Sequence, residues 1–152
     1  MKKQIIITNS AEETRALGAQ LTQTFKGGHV VLLEGDLGAG KTHFAQGAAH
    51  ELGIRKHITS PTFTIMNLYA VPAAQKKITG VARLAHIDLY RIKTLEEAYA
   101  IGVMDYIGEP STLTLIEWPK KIQNALPKDC ACVTVTIKVT SKTLRTFAIK
   151  PE

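Results

Sequence analysis

Val30-Val31-Leu32-Leu33-Glu34-Gly35-Asp36-Leu37-Gly38-Ala39-Gly40-Lys41-Thr42 is the stretch that decides the fold of this chain. Its four consecutive apolar residues read as a strand buried on both faces of a parallel sheet. The eight residues from Gly35 to Thr42 satisfy the pattern G-x-x-x-x-G-K-[ST]. Glycines let such a backbone curl, so that the amides of Leu37, Gly38, Ala39 and Gly40 point inward at phosphate oxygens. The helix that begins near Lys41 adds its positive N-terminal end. Lys41 then serves as a point charge for β- and γ-phosphates, and Thr42 supplies a hydroxyl to Mg²⁺. At average composition the pattern arises by chance in a chain this long about once in 200.

Outward from this loop the chain alternates strands and helices without an internal repeat or linker. Upstream, residues 5–8 read as a short strand. Ser10-Ala11-Glu12-Glu13 is a capping box in which Ser10 caps the Glu13 amide and Glu13 reaches back to Ser10. The helix it opens carries Leu17, Leu21 and Phe25 on one face and is expected to stop at Gly27-Gly28. Downstream, a helix runs from Lys41 to Leu52, with Gly53 as its stop. Strands are expected at 63–69, 82–87 and 113–116, with 71–80 as a loop. Thr94-Leu95-Glu96-Glu97 repeats the capping chemistry before a short helix ending near Gly102. Pro119 suits the first position of a further helix through Leu126. Residues 133–139 and 144–149 alternate in β fashion around a turn, a C-terminal β-hairpin. The expected fold is a three-layer α/β domain, P-loop NTPase-like, with a mixed, partly parallel sheet, spanning 1–152 as one unit.

Composition sets the outer limits. Hydrophobic residues make up 45% and charged residues 21%, ordinary globular values that exclude a mainly disordered chain. A net charge of +6 favours anionic partners such as nucleotides or RNA. Cys130 and Cys132 can form neither a disulfide framework nor a zinc site, and in a strand they share one face as buried thiols. Three isoleucines after Met1-Lys2-Lys3 are too few for a secretory signal, and no apolar run approaches the roughly 18 residues of a membrane span. The expectation is a cytoplasmic protein with no membrane association.

A phosphate cradle is completed by carboxylates that hold Mg²⁺ or orient the attacking water. Asp88 follows the apolar run Leu84-Ala85-His86-Ile87, and Glu117 follows Leu113-Thr114-Leu115-Ile116. Ligands of open α/β sheets sit outside the carboxyl ends of parallel strands, where both side chains would project. Glu34 also ends an apolar run, but it opens the loop itself and reads as structural.

Four motifs in order then carry a family resemblance: the loop with Asp36, Ser60-Pro61-Thr62-Phe63, His86-Ile87-Asp88-Leu89-Tyr90-Arg91, and Glu117-Trp118. In these the chain resembles TsaE, the bacterial ATPase of tRNA threonylcarbamoyladenosine (t6A) biosynthesis, over roughly residues 8–126. The resemblance implies ATP hydrolysis with Mg²⁺ in support of t6A formation at tRNA position 37. It implies action on a TsaB–TsaD heterodimer, with tRNA met through that complex. Carried over, Lys41 belongs to the catalytic set, and Thr42 and Glu117 look like Mg²⁺ ligands. Asp88 takes a metal or water-orienting role, Thr62 looks like a switch-type threonine, and the segment near Ser10 looks like part of the adenine pocket. Lys120 departs from the family pattern, where an acidic residue is common, and the C-terminal hairpin matches weakly.

Other readings stay open on the sequence. A small-molecule phosphotransferase would share the loop, but the five arginines, at 15, 55, 83, 91 and 145, are scattered and form no lid. A non-hydrolytic nucleotide sensor would need no partner-stimulated turnover. A GTPase is disfavoured by the absence of Asn-Lys-x-Asp. His43, His57 and His86 lack metal spacing and read as structural or surface residues. Trp118 reads equally as packing under a loop or as shaping the nucleotide or partner surface.

Overall fold

The computed structural model describes residues 2–151. Its strands are β1 (Gln4–Thr8), β2 (Val30–Glu34), β3 (Met66–Ala70), β4 (Arg83–Asp88), β5 (Thr112–Glu117), β6 (Cys132–Val139) and β7 (Arg145–Pro151). They form one sheet in the order β1-β7-β6-β2-β5-β4-β3. Strands β6, β2, β5 and β4 run parallel, while β3 and β7 pair antiparallel with β4 and β6. The mixed, partly parallel sheet and its C-terminal hairpin are therefore as the sequence indicates.

Helices cover both faces. Val31 and Leu33 of β2 pack with Leu17 and Leu21 of α1 (Ala11–Thr22) and with Phe44 and Ala48 of α2 (Lys41–Glu51). Val30 and Leu32 face the opposite layer. That layer holds Ala98 of α4 (Leu95–Ala100) and Val103 of the 3₁₀ turn Val103–Tyr106. Two-sided burial is why β2 reads as an unbroken apolar run rather than an alternating one.

Several local expectations are corrected. Helix α1 ends at Thr22, with Phe25 beyond it. The chain tightens there into i→i+3 bonds, from Thr24 to Leu21 and from Phe25 to Thr22. Ser10 caps the Glu13 amide at 3.1 Å, but the return arm of Glu13 takes the Asn9 amide at 2.7 Å. Pro119 opens only a 3₁₀ turn (Pro119–Lys121), followed by another at Gln123–Ala125. Residues 71–80 contain a helix, α3 (Ala73–Thr79), which buries none of its residues and so gave no amphipathic signal. Strand β3 begins at Met66 because Ile65 adopts φ 66°, which breaks the extended run. Cys132 is buried, whereas Cys130 precedes β6 and is half-buried.

Helices α1 and α2 cross closely, because glycine stands at both contacts. A Cβ at Gly47 would collide with the Arg15 carbonyl oxygen, and one at Gly18 with that of Phe44. Helix propensity alone favours Gly→Ala by about 1 kcal/mol. Overpacking against rigid backbone costs about 1–3 kcal/mol and should win here. Thermal denaturation of Gly47→Ala is expected to show a lower midpoint than wild type; a raised one would refute this packing.

Candidate active site

The loop between β2 and α2 turns on glycines with positive φ, 76° at Gly38 and 109° at Gly40, values that other residues rarely adopt. The Ala39 amide closes the turn on the Asp36 carbonyl at 3.0 Å. Gly40 occupies the N-cap of α2 and supplies no capping side chain. The first-turn amides thus meet the mouth of the loop without a side-chain partner, which suits an anion.

Parallel pairing of β4 with β5 sets Asp88 opposite Glu117. As the last residues of their strands, both bring their carboxylates to the end of the sheet where the loop lies. A cavity of about 290 Å³ results. It gathers Leu37, Gly38, Ala39, Gly40, Lys41, Thr42, Thr62, Asp88 and Glu117, together with Ser60, Tyr90 and Trp118. Ser10 lies instead in an adjoining hollow of about 330 Å³ with Asn9, Lys142 and Arg145. The two hollows share Gly38, Ala39, Gly40 and His43. A larger groove of about 880 Å³, with Arg15, Arg55 and Lys56, contains none of the predicted site residues.

Lys41 is 5% exposed. Its Nζ donates to the carbonyls of Gly35 at 2.7 Å and Asp36 at 3.0 Å, and lies 4.1 Å from the Trp118 ring centroid. Burial pushes the Lys41 ammonium below the ordinary lysine range, and the carboxylates of Glu117, Asp88 and Asp36 oppose that shift. Trp118 itself sits at φ 59° and packs 5.1 Å from Tyr90.

The two carboxylates have different surroundings. Asp88 accepts hydrogen bonds from Thr62 Oγ1 at 2.6 Å and Ser60 Oγ at 3.1 Å on one oxygen, and from the Tyr90 amide at 2.9 Å on the other. Glu117 lies 3.5 Å from Thr42 Oγ1 and accepts from His86 Nε2 at 2.8 Å. Thr42, Asp88 and Glu117 offer oxygen only, the donor type Mg²⁺ takes. Among the described residues no group of three or more His, Cys, Asp or Glu could hold a metal.

His86, which the sequence reads as a structural or surface histidine, is fully buried and bonded to Glu117. The signal was available: His86 stands two residues before Asp88, so both point to one face of β4. Glu34 is structural as read, accepting from Thr136 Oγ1 at 3.0 Å. His43 contacts Arg15 and Gln46, and Arg91 stacks over Phe63 at 5.3 Å.

A central parallel strand, a glycine loop and an uncapped helix, with carboxylates at the ends of the neighbouring strands, define a P-loop NTPase-like fold. Residues 8–147 match the family model described as threonylcarbamoyl adenosine biosynthesis protein TsaE. The chain is 44% identical over 107 residues to the Synechocystis tRNA threonylcarbamoyladenosine biosynthesis protein TsaE, covering 69% of this chain and 63% of that protein. With the Treponema pallidum protein of the same name it shares 35% over 133 residues, covering 88% and 90%. The crystal structure of Bacillus subtilis YdiB superimposes with a TM-score of 0.76 at 30% identity, covering 97% of this chain and 84% of that one. This chain belongs to the TsaE family of tRNA t6A biosynthesis proteins. No helix among the described residues is long and apolar enough to cross a membrane.

The Asp88 network ties residues 60–62 to β4 by charge-assisted hydrogen bonds, each contributing roughly 1.5–3 kcal/mol. Asp88→Ala is expected to raise amide hydrogen exchange across residues 60–65 and at Tyr90 while β2 and β5 stay protected. Unchanged exchange in these segments would show that the carboxylate does not anchor them.

Proposed function

We propose that this chain is an ATPase that serves tRNA t6A37 formation, and that its nucleotide site is completed by a TsaB–TsaD heterodimer, tRNA being met through that complex. The observation that carries the reading is the convergence of loop, Thr62, Asp88 and Glu117 on one cavity. ATP phosphates are received by the amides of residues 37, 38 and 40–42, that of Ala39 being committed to the Asp36 carbonyl. The adenosine end extends into the hollow beside Ser10, which adjoins the loop. Lys41 moves its ammonium from the Gly35 and Asp36 carbonyls to phosphate oxygens. Thr42 and Glu117 hold Mg²⁺, and Asp88, in the metal or water-orienting role, keeps Thr62 beside the γ-phosphate. Mg²⁺ when bound neutralises charge that develops on the transferred phosphoryl group. Water attacks the γ-phosphorus, the bond to the β–γ bridging oxygen breaks, and ADP and inorganic phosphate leave with the water's proton released to phosphate or solvent.

Partner dependence is supported by what surrounds the cavity. Leu37 is 79% exposed, Phe63 86% and Tyr90 55%, three large apolar side chains at the mouth of a polar site. Such a rim is expected of a surface that another protein covers. Arg91 rides on Phe63 rather than entering the cavity, so a partner that moved Phe63 would free a charge to be brought in.

Single-turnover ATP hydrolysis with TsaB–TsaD titrated in tests the reading. P-loop enzymes lacking an inserted arginine are slower by about 10³–10⁵, so the isolated chain should turn over slowly and its partners should accelerate it. Lys41→Ala and Thr42→Ala should lose hydrolysis with unchanged circular dichroism. A fast basal rate indifferent to saturating TsaB–TsaD would reject the partner-completed site.

A further inference from the structure

His86 is a buried group with half of its hydrogen-bonding capacity unused. It is fully buried in β4, on the face that also carries Asp88. Its Nε2 lies 2.8 Å from Glu117 Oε1, and its Nδ1 is buried without a hydrogen-bond partner among the described residues. Those two facts decide where the ring proton sits. An N–H on Nδ1 would be a buried donor without an acceptor, and it would leave Nε2 and Oε1 as two acceptors facing each other. A proton on Nε2 leaves only a lone pair unpaired, the cheaper omission.

From this geometry we infer that His86 is a positioning residue for Glu117. Its Nε2–H fixes the Glu117 carboxylate in the orientation from which, with Thr42, it receives Mg²⁺. Thr42 Oγ1 reaches the same Oε1 at 3.5 Å, so His86 and Thr42 both address one oxygen, and neither contact uses Oε2. Without His86, a carboxylate that is only 3% exposed would keep only the long 3.5 Å contact from Thr42, too weak to hold its orientation against rotation. An imidazole and a carboxylate joined behind a metal site tune the metal through the shell around its ligands. Loss of such a partner costs about 10–100-fold in metal affinity. The inference rests on the proposed Mg²⁺ role of Glu117.

The test reads binding rather than turnover. Quenching of Trp118, the only tryptophan, follows ATP binding with and without Mg²⁺. In His86→Leu, the Mg²⁺ concentration at half-saturation should rise about 10-fold or more while metal-free ATP affinity stays at the wild-type value. His86→Gln, which keeps an N–H donor on a side chain of similar reach, should recover most of that loss. In parallel, long-range ¹⁵N–¹H spectra of the wild-type protein should show His86 protonated on Nε2 and not on Nδ1. A wild-type Mg²⁺ response in His86→Leu overturns the inference, as does an Nδ1–H signal, which can be read even if the leucine variant does not fold. Glu117→Gln separates the two levels: if it too keeps the wild-type Mg²⁺ response, the metal role of Glu117 fails and the inference with it. If only His86→Leu keeps it, the inference alone fails.

Discussion

Register between parallel strands is the constraint on which the rest of this molecule depends. Glu117 lies level with Leu33 of β2 and with Asp88 of β4, so the phosphate loop and both carboxylates leave the sheet at one height. Side chains alternate with a period of two, so a slip of one residue in β5 would turn Glu117 into the opposite layer. Burial prevents the slip. Leu113 and Leu115 belong to the layer under α1 and α2, and Ile116 to the other, all without solvent exposure. A displaced register would require each to exchange environment with its neighbour. Apolar packing deep in the sheet thus positions the polar chemistry at its edge.

That positioned chemistry is internally balanced. Lys41 is drawn into the loop by two backbone carbonyls and the face of Trp118, in a place where burial disfavours its charge. Glu117, Asp88 and Asp36 restore part of that charge preference. Asp88 spends its oxygens on Ser60, Thr62 and Tyr90, which fixes the segment containing Phe63 to the end of β4. The cavity is therefore lined by side chains already bonded to one another. On the proposed reading, an incoming phosphate exchanges these bonds for its own rather than filling a vacant polar hollow, and the net affinity is a difference between two well-satisfied states.

Much of this was legible in the sequence, for reasons that differ by element. Strand β2 and the start of α2 were readable because a buried parallel strand and a glycine loop both constrain residue type position by position. Asp88 and Glu117 were readable because each interrupts an apolar run at its end. Helix α3 was not, since it buries none of its residues and carries no face for periodicity to register. The short turns after Pro119 failed for the opposite reason. Proline fixes a first helical position but does not say how long the helix continues, and Trp118 in the left-handed region swings the chain into 3₁₀ geometry. Spacing along the chain reads His86 as structural or surface and does not reveal its contact with Glu117, which lies 31 residues away on the adjoining strand.

On the proposed reading, the same contrast separates what this chain supplies from what a partner would add. Everything requiring fixed backbone geometry is already present: the curled loop, the helix terminus and the paired carboxylates. The side chains left in solvent, Leu37, Phe63 and Tyr90, sit on the loop, on residues 60–63 and just after β4, three of the segments that border the cavity. A surface that touched all three would bear on the phosphate loop, on the segment held by Asp88 and on the residue whose amide Asp88 accepts. Burying them would exclude water from the cavity and strengthen each electrostatic contact inside it. On the proposed reading, apolar docking and polar catalysis are two consequences of one closure, and a cavity that is open in the free chain is what a partner-covered site would leave.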